Sequence, residues 1–197
     1  MVTEVYPNIF LNIIPLPKNP LKSINNYIIK SESRNLVIDT GFNTPECQNE
    51  LMRGLEELNL DLKKTELLIT HMHTDHSGLA HVLKGLGVPT VYFSQIDGEI
   101  SNQTSQRDSF FKSLNRLLGF EGDNPIKFGK EFGTKRTEPL EYSPLNQGNQ
   151  LIVGNYCLEV VEIPGHTPGH IGLYEKNHRL FCGGDHILDE ITPNITY

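Results

Sequence analysis

Three histidines and one aspartate lie within six consecutive residues, His71-Met72-His73-Thr74-Asp75-His76. Two histidines spaced two positions apart on extended backbone point the same way, and a tight turn after them can bring Asp75 and His76 back to the same space. Imidazole nitrogens are good ligands for zinc and iron, and a carboxylate oxygen suits a harder neighbouring position. Packing these groups together is costly unless a cation offsets them. The segment therefore predicts a metal site.

A second histidine cluster occurs in the stretch Pro164-Gly165-His166-Thr167-Pro168-Gly169-His170. Its turn-forming residues indicate a rigid loop directly after a strand. His166 is predicted to be the third ligand of the metal held by His71 and His73. Three roles stay open for His170, namely metal ligand, support for a ligand, or packing at the start of the next strand, and support is favoured.

Asp185 follows a predicted strand and the pair Gly183-Gly184, which permits a sharp backbone turn. A carboxylate at this place can reach two metal ions. The alternative interpretation of Asp185 is an ordinary turn or capping aspartate.

The elements around these clusters predict a layered arrangement of strands and helices. Thr44 is placed to cap a helix with Pro45 in its first turn, and Cys47, Leu51, Leu55 and Leu58 then form one apolar face. A second helix is predicted to begin at Ser77 or Gly78 and to end at Gly87. Strands are predicted over residues 8–14, 26–30, 36–39, 67–70, 89–93, 156–163, 171–174 and 180–182.

The composition predicts one globular domain without a membrane span. The chain has 197 residues, of which 37% are hydrophobic, and it contains no apolar run of the length that crosses a bilayer. No secretory signal opens the sequence, and the three cysteines are far apart, so we expect a cytoplasmic protein with reduced thiols. The net charge of −7 disfavours nucleic acid as a partner. The densest basic group, Lys127, Lys130, Lys135 and Arg136, is interpreted as a solvated loop.

Residues 95–150 differ in character from the rest and predict a helical insertion, interpreted as a lid over the site. Its aromatic residues Phe110, Phe111 and Tyr142 are candidates for a wall of the substrate site. Core packing of an amphipathic helix explains Phe110 and Phe111 equally well.

The three motifs, in this order, resemble the metallo-β-lactamase superfamily, and the segment Val37-Ile38-Asp39-Thr40-Gly41 resembles that family's early strand and turn. The resemblance covers nearly the whole chain outside the insertion. It implies an α+β fold, an αββα sandwich of two mixed β-sheets flanked by helices, with a metal site at the sheet edges. In terms of ligands, it implies His71, His73 and His166 on the first metal, Asp75 and His76 on the second, and Asp185 bridging. Asp39 would orient a ligand, or would equally be a strand-end turn residue.

The sequence departs from the family after Asp185. The family usually supplies a further histidine to the second metal from a later loop, but Tyr197 is only 12 residues beyond Asp185. The C-terminal end of the domain is therefore expected to be lacking, the second metal to bind weakly, and uncovered apolar surface to promote self-association into a homo-oligomer. A G-x-G-R-T-D-like stretch is also absent after Asp185, which disfavours a glutathione thioester as substrate.

These features predict a metal-dependent hydrolase in which a metal-activated hydroxide attacks an ester, thioester, lactone, amide or phosphodiester of a small molecule. Zinc, as one or two ions, is the expected cofactor, with iron or manganese as alternatives. Asp75 is the predicted catalytic residue, which orients the hydroxide and transfers a proton. Two other functions stay open: a mononuclear iron dioxygenase acting on a persulfide through His71, His73 and His166, and a non-catalytic metal-binding module.

Overall fold

Two β-sheets lie face to face in this computed structural model, which describes residues 2–103, 138–188 and 192. The first sheet has seven strands arranged in chain order, antiparallel from β1 to β4 and parallel from β4 to β7. Its strands are β1 (Thr3–Tyr6), β2 (Ile9–Pro15), β3 (Ser23–Ile29), β4 (Asn35–Ile38), β5 (Thr65–Leu68), β6 (Val91–Ser94) and β7 (Ser143–Leu145). The predicted hairpin of residues 26–30 and 36–39 is present as β3 and β4.

The second sheet has four antiparallel strands in the order β11-β10-β9-β8. They are β8 (Gln150–Val153), β9 (Tyr156–Glu162), β10 (Ile171–Glu175) and β11 (Leu180–Cys182). The first sheet is therefore mixed, as predicted, whereas the described strands of the second sheet are purely antiparallel. The sequence analysis predicts none of the strands β1, β7 and β8, and β7 lies within the stretch 95–150 that it interprets as a helical insertion.

The helices are α1 (Pro45–Glu57), α2 (Thr74–Ser77), α3 (Ala80–Gly85) and α4 (Gln95–Asn102), with 3₁₀ turns at Leu62–Lys64 and Gly184–His186. The predicted start of α1 is confirmed, since the Thr44 side chain accepts a hydrogen bond from the Cys47 N–H and Pro45 follows the cap. Burial of Cys47, Leu51 and Leu55 confirms its apolar face.

The second predicted helix is wrong in its bounds, because two short helices replace it. Helix α2 begins at Thr74, inside the histidine-rich segment 71–76, and the chain bends at Gly78 and Leu79 before α3 begins. Gly78 lies against the backbone after β4, where a Cβ atom would be 2.6 Å from the Gly41 oxygen and 2.8 Å from the Asn43 nitrogen. This close approach places α2, and with it His76, against the end of β4.

Two hydrophobic cores hold the layers together. One packs α1 and α3 on the outer face of the first sheet and includes Leu51, Leu55 and Leu83. The other fills the space between the two sheets and includes Leu68 of β5 and Val160 of β9. Because the second core fixes the two sheets against each other, the loops that follow β4, β5, β9 and β11 meet at one edge of the sandwich.

Most of the predicted insertion, together with Phe110, Phe111 and the basic group, lies outside the described residues. At its two ends the structure has α4 and β7, and β7 pairs with β6 as part of the first sheet. Tyr142 packs on Phe93, with ring centroids 5.8 Å apart, and so belongs to the core between the helices and the first sheet. Among the residues described, none of the helices has the length and apolarity needed to cross a bilayer. The three cysteines are free thiols.

Candidate metal centre

All six side chains predicted to bind metal come together at this edge of the sandwich, although they leave four different positions in the fold. His71 and His73 lie in the loop between β5 and α2, and Asp75 and His76 lie in α2 itself. His166 follows β9, and Asp185 lies in the 3₁₀ turn after β11. Short loops at strand ends therefore bring together candidate ligands as far apart in sequence as His71 and Asp185.

Three imidazole nitrogens converge in the first cluster. His71 Nε2 lies 3.1 Å from His73 Nδ1, which lies 2.9 Å from His166 Nε2. His71 is fully buried and His166 is 9% exposed. Nitrogens at tetrahedral positions around a zinc ion would be about 3.3 Å apart. Three converging ring nitrogens of this spacing fit a metal ion, because neutral imidazoles have only one N–H each and turn lone pairs toward one another.

His76 and Asp185 form a second cluster beside the first, and Asp75 lies next to it. His76 Nε2 lies 3.2 Å from Asp185 Oδ1, and Asp185 Oδ2 lies 3.3 Å from His166 Nε2. Asp75 Oδ2 is somewhat farther away, at 3.9 Å from His76 Nε2. The candidate ligand atoms of His71, His76 and Asp185 all lie within 4.8 Å of one another, so Asp185 is placed between the two clusters.

Asp39 supports both clusters from behind. Its carboxylate accepts hydrogen bonds of 2.8 Å from Thr70 N–H, from Thr70 Oγ1 and from His76 Nδ1. The Thr70 hydroxyl donates to Asp39, so its oxygen is left to accept from His71 Nδ1 at 3.1 Å. This network assigns the ring proton to Nδ1 in His71 and His76 and turns both Nε2 atoms toward the clusters. Of the two interpretations of Asp39, these contacts favour the orienting one.

The electrostatics separate the histidines of the two clusters. Burial lowers the pKa of His71 well below the ordinary value, which keeps its ring neutral and suited to bind a cation. Burial would also lower the pKa of His76, but the carboxylates of Asp39, Asp185 and Asp75 outweigh it and raise that pKa well above its usual range. Burial is in turn the main cause that raises the pKa of the Asp75 carboxyl.

His170 lies directly behind the first cluster without joining it. Its ring is fully buried, and its centroid is 4.6 Å from that of His71. Neither ring nitrogen has a hydrogen-bond partner among the described residues. Burial, assisted by neighbouring histidines, lowers the pKa of His170 to about 3, so the ring is neutral. Of the three roles left open for His170, these contacts favour support for a ligand, because its ring packs against that of His71. The remaining nearby histidine, His186, has its ring centroid 6.3 Å from that of His170.

One buried acidic residue next to the site was missed by sequence reasoning. Asp97 in α4 is fully buried, and its carboxylate accepts hydrogen bonds from the loop of His71 and from the loop of His166. The only signal in the sequence is the spacing Ser94-x-x-Asp97, which is typical of a helix start and does not indicate a contact with either loop.

A cavity of about 770 Å³ opens beside the second cluster. Asp75, His76 and Asp185 form one side of it. The other walls are mixed: apolar side chains such as Leu16, Ile24, Phe181 and Leu188 alternate with polar ones such as Ser23, Asn25 and Thr70. A small molecule with an apolar portion would fit this arrangement, with its reactive group beside the carboxylates.

The fold and the arrangement of histidines and aspartates define a member of the metallo-β-lactamase superfamily. Residues 20–197 match the model of that superfamily, and the chain belongs to it. A metallo-beta-lactamase family protein of Thermus thermophilus has a similar structure, with a TM-score of 0.82 and 26% sequence identity. That similarity covers 98% of this chain and 64% of the Thermus chain.

Two similar proteins with named activities extend the comparison. The hydroxyacylglutathione hydrolase GloC of Haemophilus influenzae is 28% identical over 177 residues, which is 89% of this chain and 71% of GloC. The human acyl-coenzyme A thioesterase MBLAC2 is 25% identical over 174 residues, 84% of this chain and 58% of the human protein. The chain thus spans between about half and three quarters of the length of these relatives.

Proposed function

We propose that this protein is a metal-dependent hydrolase that cleaves a carboxylic ester or thioester and holds the acyl portion against the apolar residues of the adjoining cavity. The observation that carries the proposal is the convergence of three imidazoles with a further histidine and a carboxylate, directly beside that cavity. The names of the two relatives described above, a hydroxyacylglutathione hydrolase and an acyl-coenzyme A thioesterase, support this substrate class.

In the proposed site, His71, His73 and His166 would hold one metal ion, Asp75 and His76 would hold a second, and Asp185 would serve as a ligand shared by both. Zinc is the cofactor proposed, with iron or manganese as alternatives, because imidazole and carboxylate ligands serve all three. A metal ion bound in such a site would lower the pKa of its water molecule to about 7 and so supply hydroxide at neutral pH.

The side chains of this protein would orient the reactants and transfer protons. Asp75 is proposed as the catalytic residue, since it lines the cavity and its carboxylate can accept a proton from water and pass it to the leaving group. Burial raises the pKa of Asp75 toward the range in which it both accepts and releases a proton. Asp39 would hold His76 and, through Thr70, His71 in the orientation that binds metal.

The test is a substrate panel with separately altered ligands. Zinc-loaded protein is assayed with p-nitrophenyl esters, acyl-coenzyme A thioesters, S-lactoylglutathione, a lactone and a phosphodiester. We expect turnover of esters or thioesters, and a loss of at least a hundredfold in His71→Ala and in His166→Ala. His178→Ala serves as the control, because His178 lies beside Glu175 at the other end of β10.

Three outcomes would contradict the proposal. Full metal content and activity in either ligand variant would show that the ligands are wrongly assigned. Oxygen consumption with a persulfide by the iron-loaded protein, without hydrolysis, would favour the dioxygenase. Tight binding of one metal ion with no turnover of any substrate in the panel would favour a metal-binding module.

A further inference from the structure

Asp97 is a fully buried carboxylate that belongs to neither cluster of candidate ligands. It lies in the first turn of α4, where Ser94 caps the helix by accepting a hydrogen bond from the Asp97 N–H at 3.2 Å. An acidic residue three positions after a cap commonly uses its side chain to reach back to the backbone of the cap residue. The carboxylate of Asp97 instead contacts two loops that lie outside its own helix.

Three short hydrogen bonds join Asp97 to the loops that carry the histidines of the first cluster. Its Oδ2 atom accepts from the backbone N–H of Met72 at 2.9 Å and from the hydroxyl of Thr167 at 2.6 Å. Its Oδ1 atom accepts from the backbone N–H of Gly169 at 2.7 Å. Met72 lies between His71 and His73, and Thr167 directly follows His166, so both bonds to Oδ2 come from residues next to candidate ligands.

Close packing between α4 and the second loop keeps this carboxylate in contact with both partners. A Cβ atom on Gly169 would lie only 2.5 Å from Ser94 Oγ and 2.7 Å from Asp97 Oδ1. A residue larger than glycine at position 169 would therefore separate the loop from the helix. Because the two loops follow strands of different sheets, Asp97 is a direct polar connection between them.

We propose that Asp97 is a positioning residue that fixes the backbone carrying His71 and His73 relative to the backbone carrying His166. The inference rests on the proposed function, since it assigns a role toward the same three-histidine site. A carboxylate serves here because it accepts hydrogen bonds from three donors at once and makes charge-assisted bonds that are shorter and stronger than neutral ones.

Two substitutions of Asp97 separate positioning from simple core packing. Asp97→Asn keeps the size of the side chain, but its NH₂ group must face at least one backbone N–H, so at least one of the three bonds is lost. Asp97→Ala removes all three. Thr167→Val removes only the hydroxyl donor, whereas Thr167→Ser keeps the hydroxyl and loses only a methyl group.

Cobalt(II) is the probe, because its visible absorption reports the geometry of its ligands. We expect Asp97→Asn to weaken Co²⁺ and Zn²⁺ binding by about 10- to 100-fold and Asp97→Ala by more, with an altered Co²⁺ spectrum. Thr167→Val should weaken binding of both metal ions, and Thr167→Ser should bind them as the wild type does. Were Asp97→Ala not to fold, Asp97→Asn and the two Thr167 variants would still decide the outcome.

The matched control is Glu175→Gln, which alters a buried carboxylate at the far end of β10. Glu175 is 1% exposed and accepts hydrogen bonds from the His178 N–H at 2.7 Å and from His178 Nδ1 at 2.8 Å. We expect it to lower the free energy of unfolding without changing metal affinity or the Co²⁺ spectrum.

The result separates this inference from the proposed function. Wild-type affinity and an unchanged Co²⁺ spectrum in both Asp97 variants would overturn the positioning role alone. A wild-type protein that takes up neither Zn²⁺ nor Co²⁺ would overturn the proposed function and the positioning role together.

Discussion

At the scale of residues, Asp39 affects a thiol as well as the candidate ligands, because Asp39 and Cys182 both line the cavity beside the site. The carboxylate of Asp39 is buried beside His76, and Cys182 lines the same cavity from the end of β11. Burial is the main cause that raises the pKa of the Cys182 thiol to about 11, and the negative charge of Asp39 adds to it. The side chain is therefore a protonated, poorly nucleophilic thiol at neutral pH, which argues against a role for it as a catalytic nucleophile.

We predict that Cys182 is nearly inert toward thiol reagents in the folded protein. In a variant with Cys47→Ala and Cys157→Ser, reaction with a disulfide reagent at pH 8 should be on the order of a hundredfold slower than in urea, because so little thiolate is present. The rate should then rise with pH up to about 11. A native thiol that reacts at the unfolded rate would contradict this prediction.

At the scale of elements, the glycine turn between β11 and Asp185 decides where the Asp185 carboxylate lies. Gly184 has a φ of +50°, in the left-handed region, and a Cβ atom there would be 2.7 Å from His170 Nε2 and 2.8 Å from Thr70 Oγ1. A side chain at this position would push against the groups that support His71. The turn thus keeps Asp185 close to His76 and His166.

We predict that Gly184→Ala lowers the free energy of unfolding of the metal-free protein by about 1–3 kcal/mol, because a non-glycine residue is strained at this φ. Urea denaturation measures the change. The matched control is Gly85→Ala at the end of α3, where a Cβ atom would meet nothing within 4 Å. That control should be stabilised by about 0.5–1 kcal/mol. Equal effects of the two substitutions would show that the turn is not under this constraint.

At the scale of the whole molecule, the site couples the two sheets. His71 follows a strand of the first sheet and His166 a strand of the second, and their rings come within a centroid distance of 4.8 Å. The unfolded chain does not hold these histidines together, so a metal ion would bind mainly to the folded state and stabilise it. Self-association through exposed apolar surface stays a prediction.

We predict that Zn²⁺ at about a hundred times its dissociation constant raises the free energy of unfolding by about 2.7 kcal/mol. Thermal unfolding with Zn²⁺ and after chelation measures the effect. The shift should be largely lost in His71→Ala and retained in His178→Ala. An equal shift in His71→Ala would mean that zinc stabilises the protein from another place.

The sequence by itself determined the family, because its motifs are local, and through that resemblance it predicts six candidate metal ligands. His71, His73, Asp75 and His76 are neighbours in one short segment, and His166 and Asp185 each follow a strand and a glycine-containing turn. The start of α1 was predictable for the same reason, since Thr44 and Pro45 are adjacent. Such features depend on the spacing of residues close together in the chain, so they can be recognised without knowledge of the fold.

Only the tertiary structure decided which residues hold the ligands in place. Asp97 contacts residues 25, 70 and 72 positions away, and Asp39 contacts residues 31 and 37 positions away. The family resemblance offered orientation of a ligand as one of two roles for Asp39, but no periodicity or motif indicates the partners of Asp97. The break between α2 and α3 has the same origin, because the packing of Gly78 on the chain after β4 overrides the local helical pattern. The candidate ligands are therefore predictable from short-range pattern, whereas their orientation depends on hydrogen bonds between distant residues that form only in the folded chain.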